Sequence, residues 1–155
     1  MKYFWVVVKH KYFVFVGGLT TKAPVWRLIM HDCSKFLPSE FSHYARQFTG
    51  KADQPEKFLE CWLKHQNRNP HHWEYWIPRT TAHTSYLDNE PIPMPEWAVR
   101  EMVADWIGAG RIYKGKYPDY DNWTWLNNHF PKIEKRSHPL TVERIRKVVN
   151  ELRNI

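Results

Sequence analysis

Apolar side chains in this chain recur at three- and four-residue steps, the spacing of one helix face, and the segment PVWRLIMHDCSKF shows the pattern with a polar intrusion. Pro24 suits a first helical position, and Val25, Leu28, Ile29 and Phe36 then fall on one stripe. Asp32 lies on that same stripe with His31 beside it. A buried carboxylate with no partner is costly, so it must be paired, protonated or bound to a metal, and the adjacent imidazole puts metal first.

The first segment, YFWVVVKHKYFVFV, fits a strand or a buried helix. As a helix it aligns Tyr3, Val6, Val7, His10, Phe13 and Val14; as a strand it has no residue that turns easily at Lys9 to Lys11, and Gly17-Gly18 ends it either way. A helix from about Ser39 to Phe48 follows, with Phe41, Tyr44, Ala45 and Phe48 in step and Gly50 as its stop. Pro55 opens a helix in which Phe58, Cys61, Trp62 and His65 share a face. Asn69-Pro70 reads as an N-cap and first-turn proline, placing His71 and His72 at a helix N-terminus whose positive dipole end keeps imidazole neutral. Pro78 to Pro95 reads as a long loop. In EWAVREMVADWIGAG, Ala98, Met102, Asp105 and Ala109 align, Glu101 sits one turn before Asp105, and Gly108 and Gly110 end the element. An aromatic, basic loop, RIYKGKYPDYDNWTWLNNHFP, comes next, and a packing helix from Thr141 carries Val142, Ile145, Val148, Val149, Leu152 and Ile155.

Length and composition fit one domain over residues 1–155, large enough for a core without disulfides, and the nine Trp, eight Tyr and eight Phe supply aromatic walls for a cleft. The net charge of +7 favours an anionic partner. Cys33 and Cys61 read as buried thiols of a reducing cytoplasm. The run from Tyr3 to Val16 carries Lys9, His10 and Lys11 at its centre, so it is neither a signal peptide nor a span, and no membrane partner is expected.

His10, His31 with Asp32, His65, His71 or His72, and Asp105 thus project from apolar stripes or a helix start on different helices. One histidine on an apolar face is more often a hydrogen-bonded core residue than a ligand; several on separate helices reverse that reading. Imidazole with carboxylate suits divalent manganese, iron, cobalt, zinc or nickel, held by inward-projecting ligands between helices.

The order of His10, His31-Asp32 and Asp105 resembles the HD-domain superfamily of metal-dependent phosphohydrolases. VKHKYFVF, HDCSKF, HQNRNPHHWEYW and MPEWAVREMVADW are more closely similar to a small HD-like family found largely in phage and bacterial genomes. The resemblance implies an all-α, HD-domain-like helical bundle with a metal site between helices, a helical N-terminus, and residence in the host cytoplasm if phage-encoded. Superfamily members with extra histidines between the His-Asp pair and the last Asp hold two metals, and His65 with His71 or His72 fits that order, at a narrower spacing than usual. One-metal nucleotidases often place Glu three residues after the Asp; Lys35 stands there, as in members with His-Asp-x-x-Lys, which implies a phosphate contact.

The function expected is hydrolysis of a small phosphate ester, a nucleotide foremost, by a metal-activated water. Lys35, Arg68, Arg79, Arg111 and Lys114 are candidates for binding the anionic substrate, Lys35 and Arg111 for stabilising transition-state charge, and Glu101 for acid–base or ligand-orienting work. The loop from Arg111 to Trp125, with Lys114 and Lys116, is expected to border the cleft and offer stacking faces. Two other classes compete: a di-iron oxygenase built on the same ligand order, and a basic nucleic-acid or protein-binding module with a structural zinc. Two cysteines argue against the last, because structural zinc favours Cys-rich sites. A nucleic-acid partner is less favoured, and the oligomeric state is open.

Overall fold

The N-terminal segment is helical, and its helix runs straight through the two glycines expected to end it. The computed structural model describes residues 2–50, 52–78 and 90–155, and every regular element among them is helical. The α-helices are α1 (Lys2–Thr20), α2 (Val25–Met30), α3 (Pro38–Phe48), α4 (Pro55–Arg68), α5 (Glu96–Lys114), α6 (Thr124–Arg136) and α7 (Pro139–Arg153). Short 3-10 turns occupy Cys33–Phe36 and Trp73–Trp76. Proline opens α3, α4 and α7, where its missing N–H has no helical partner to lose.

Glycine in a helix interior costs about 0.5–1 kcal/mol relative to alanine, so four of them inside α1 and α5 need a reason. Close packing supplies it at three. A Cβ on Gly108 would lie 2.7 Å from the backbone nitrogen of Val14, one on Gly17 would lie 2.9 Å from Ile107 Cγ2, and one on Gly18 would overlap Leu28. Helices α1 and α5 therefore cross almost backbone to backbone. α5 accordingly continues past Gly108 and Gly110 to Lys114, and Gly115, with φ +72°, is what stops it.

α5 is the central element, with Ala98, Val99, Met102, Val103 and Ile107 all buried. On one side it packs with α6 and α7 through Trp123, Leu126, Ile133, Ile145 and Val148. A second apolar cluster joins Tyr3 and Val7 of α1 to Tyr44 of α3 and Cys61 of α4. α6 begins within the stretch read as loop and runs past its end; it carries Pro131 internally, a residue that normally signals a break, and the buried Leu126 and Ile133 on either side hold it against the core. α7 matches the expected stripe except at Ile155, which lies beyond the helix end and is exposed. Of the long loop expected before α5, residues 79–89, Arg79 included, lie outside the described residues.

The crossing predicts opposite outcomes for two neighbouring glycines. Gly108→Ala should destabilise by about 1–3 kcal/mol, the usual range for overpacking against unyielding atoms. Gly110→Ala, whose Cβ would meet only Pro118 Cδ at 4.0 Å, should stabilise by about 0.5–1 kcal/mol from helix propensity alone. Urea unfolding of the two variants checks the signs.

Candidate metal centre

Asp32 is buried, though not by the helix that its sequence pattern predicts. α2 ends at Met30; Val25, Ile29 and Phe36 are exposed, and only Leu28 of that stripe turns inward. The chain reverses at Asp32, which adopts φ +54°, a left-handed conformation that aspartate tolerates better than most residues. Lys11 of α1 fixes the reversal by donating to the carbonyls of Ile29 and His31, so a cation closes the C-terminal end of α2. Cys33 consequently sits half-buried in the 3-10 turn beside Lys11, not in an α-helix; Cys61 is buried as expected.

The reversal carries the Asp32 carboxylate into a ring of imidazoles. Its Oδ2 lies 3.3 Å from His10 Nε2 and 3.4 Å from His31 Nε2, and Asp105 Oδ1 closes that set at 3.0 Å from His10 Nε2 and 3.5 Å from His31 Nε2. The other oxygen, Oδ1, lies 3.3 Å from His65 Nε2 and 3.4 Å from His71 Nε2. His72 joins this second set, whose ligand atoms all fall within 4.8 Å of one another, as do those of the first. One carboxylate thus serves two groups of donors.

Chain geometry at His71 and His72 differs from expectation. Pro70 is not followed by an α-helix: His72 is extended and leads into the Trp73–Trp76 turn, so no helix dipole acts there. His72 is nevertheless held well below the ordinary imidazole value, by burial first and then by the neighbouring His71 and His65.

Two carboxylates behind the rings set their orientation. Glu101 Oε1 accepts from His31 Nδ1 at 3.1 Å and faces His71 Nδ1 at 3.3 Å, while its Oε2 accepts from Arg27 Nε at 2.7 Å. Glu40 Oε2 accepts from His65 Nδ1 at 2.9 Å and from Ser34 Oγ at 3.0 Å, and Oε1 accepts from Arg68 at 2.6 Å. With Nδ1 engaged as donor, Nε2 of these rings presents its lone pair inward, the arrangement that orients metal-ligating histidines. Glu101 is pulled down to about 2, burial being outweighed by His31 and His71, so it is ionised and stands where it orients both rings, the second of the two roles expected for it. Sequence reading missed Glu40. Its signal was present: it stands one helical turn before Tyr44, on the inward face of α3.

The donor set fits a transition metal. Beyond the charged contacts of these rings with Asp32 and Asp105 and of Asp32 with Lys35, the buried Nε2 atoms of His10, His31, His65, His71 and His72 and both oxygens of Asp32 have no hydrogen-bond partner, and such groups rarely stay unmatched in a folded interior. Neither cysteine belongs to either set.

Lys35 Nζ lies 2.5 Å from Asp32 Oδ2 and 5.6 Å from the Tyr44 ring centre, and the Asp32 charge keeps the ammonium above its ordinary value despite burial. His10, Lys35, His72 and Asp105 border a cavity of about 610 Å³ whose other walls include Trp62, Trp73, Trp106, Tyr113 and Trp125. His129 and Lys132 of α6 also line it. The remaining candidate cations are elsewhere: Arg68 is tied to Glu40, Arg111 stacks on Phe13 and Tyr117 and binds the Gly115 carbonyl, and Lys114 and Lys116 are exposed. Of the loop expected to border the cleft, Tyr113 and Trp125 do so, whereas Trp123 is core.

Sharing of Asp32 predicts a stoichiometry pattern. Wild-type protein should hold two equivalents of manganese or iron, His10→Ala and His65→Ala one each, and Asp32→Ala none, measured by elemental analysis after desalting. Glu40→Gln should weaken the His65 equivalent by about 10–100-fold and spare the other.

Protonation gives an independent check on metal-free protein. Burial opposes charge on His10, His31 and His65, yet the surrounding carboxylates raise all three above the ordinary 6.5, and the same pairs depress Asp32 and Asp105 well below 3.8. A raised imidazole stabilises fully below 6.5 and loses that contribution as pH climbs through its folded value; a depressed carboxylate stabilises above 3.8 and loses its contribution as pH falls through its folded value. Chelated protein should therefore lose Tm as pH rises above 6.5, while the increment in Tm from added metal grows, because ligation needs neutral imidazoles. A chelated Tm that climbs through neutrality would contradict the assignment.

No curated protein and no solved structure matches the chain. Residues 1–152 match one family profile, and on that match the chain belongs to DUF5662, a family of unknown function.

Proposed function

We propose that this chain is an HD-type, metal-dependent phosphohydrolase acting on a small phosphate ester, a nucleotide foremost. One observation carries the reading: a buried carboxylate is shared by two sets of imidazole lone pairs, and both sets reach the wall of a cavity that also holds Lys35. Divalent ions bound there would bring a coordinated water toward neutral pKa and polarise a phosphoryl oxygen.

The chain's own residues supply the rest. Lys35 is the cavity's cation nearest the shared carboxylate, and its ammonium is the group to hold a phosphate oxygen and balance charge in the transition state. His72, kept neutral, offers a lone pair to metal or a donor to phosphate, depending on tautomer. Glu40 and Glu101 hold the imidazole rings. The Trp and Tyr side chains of the cavity offer flat apolar faces that suit a planar base and exclude water.

The test is phosphate release from a panel of nucleotides and simple phosphate esters with manganese, iron, cobalt, zinc or nickel added. Activity on at least one nucleotide is expected, with Lys35→Ala lowering kcat/KM by about 10²–10³-fold, the usual loss for one transition-state donor. Arg111→Ala and Lys114→Ala should leave kinetics unchanged, since neither residue borders the cavity. Absence of phosphate release with every metal, together with oxygen consumption by the iron-loaded protein, would overturn the hydrolase in favour of the oxygenase.

A further inference from the structure

The outer side of α1 is as apolar as its inner side. Tyr3, Val7, His10, Val14 and Gly17 face the core, while Trp5, Tyr12 and Leu19, each more than half exposed, run along the opposite side. α2 and the 3-10 turn after it lie against one flank of this stripe: Lys11 reaches the Ile29 and His31 carbonyls, and the Phe4 ring packs 5.7 Å from Phe36 of the turn. Leu28 is the only buried residue of α2, which leaves Trp26, Ile29 and Met30 more than half exposed beside the α1 stripe. A helix with apolar stripes on two opposite sides calls for cover on both, and a clustered patch of large exposed side chains marks an interaction surface.

Charge selects the occupant. Among residues 2–50 the only acidic side chains are Asp32 and Glu40, both buried, so α1, α2 and the segments around them expose no carboxylate of their own. Lys2, Lys9 and Lys22 are exposed around the apolar stripe, whereas Lys11 and Arg27 turn inward to the His31 carbonyl and to Glu101. A second copy would bring lysines against lysines. Exposed Trp and Tyr mixed with aliphatic side chains and rimmed by lysine is instead the composition that suits the headgroup layer of an anionic bilayer.

We propose that the α1–α2 face docks on an anionic lipid surface. No described helix is long and apolar enough to cross a membrane, so the contact lies in the plane of the headgroups, with Trp5, Tyr12 and Trp26 inserted and the lysines on lipid phosphate or carboxylate. The inference stands apart from the hydrolase reading, because these side chains point away from the imidazole cluster.

The test is flotation of the full chain with phosphatidylcholine vesicles, with and without phosphatidylserine. Binding to the serine-lipid vesicles, lost at high salt and weak on pure phosphatidylcholine, is expected; Trp5→Ser with Trp26→Ser, and separately Lys2→Glu with Lys9→Glu, should each lower partitioning by about tenfold or more at unchanged helicity and metal content. Quenching of wild-type tryptophan fluorescence by brominated lipid in the same vesicles tests insertion without any substitution. The proposal is overturned by absence of binding and quenching, by partitioning that survives both double variants, by a solution dimer that the tryptophan changes dissolve, or by equal binding to soluble polyglutamate.

Discussion

The rest of the structure depends on a single buried carboxylate that must satisfy donors on two sides. Asp32 has imidazoles of His10 and His31 at one oxygen and of His65 and His71 at the other. These rings come from α1, the chain reversal after α2, α4 and the turn after α4, so the side chains bind into one centre elements that are far apart in sequence. An ion pair of this kind in a dry interior is weak evidence for stability by itself, since desolvation offsets the attraction. Its value lies in chemistry: groups held rigid, oriented from behind and left with inward lone pairs are preorganised to bind a cation.

That arrangement needs α1 and α5 closer than side chains normally allow. Gly17 and Gly108 permit the approach one to two turns from His10 and Asp105, and the 3.0 Å separation of those two side chains follows from it. On the far side of α5, the packing with α6 and α7 gives the crossing a rigid backing, while α3 and α4 carry Glu40 and His65 to the other edge. The cavity lies between these halves, which explains why its walls mix residues of α1, α3, α4, α5 and α6.

Much of this was legible in the residues, for uneven reasons. The helical period placed His10, His65 and Asp105 on inward faces correctly, because each sits within a regular helix where spacing translates directly into direction. Asp32 and His31 were identified as buried by a stripe that does not exist; what buries them is a left-handed reversal pinned by Lys11, a tertiary contact that periodicity cannot encode. Local propensity makes the glycines of α1 and α5 stops and the stretch before Pro131 a loop, and tertiary packing overrides each of them. Glu40, one turn before Tyr44 on the inward face of α3, escapes notice because a lone glutamate reads as solvated surface until its partner His65 is brought alongside. Loss of α6 from the reading also hid His129 and Lys132, whose place on the cavity wall depends on that helix.

Anomalous diffraction from crystals of the protein loaded with manganese tests the central claim most directly. Two peaks flanking the Asp32 carboxylate, about 3.5–4 Å apart as in other two-ion sites, with His10, His31 and Asp105 around one and His65, His71 and His72 around the other, are the predicted result. A density map with no peak inside the imidazole ring, and Asp32 bound only by Lys35 and protein hydrogen bonds, would contradict it.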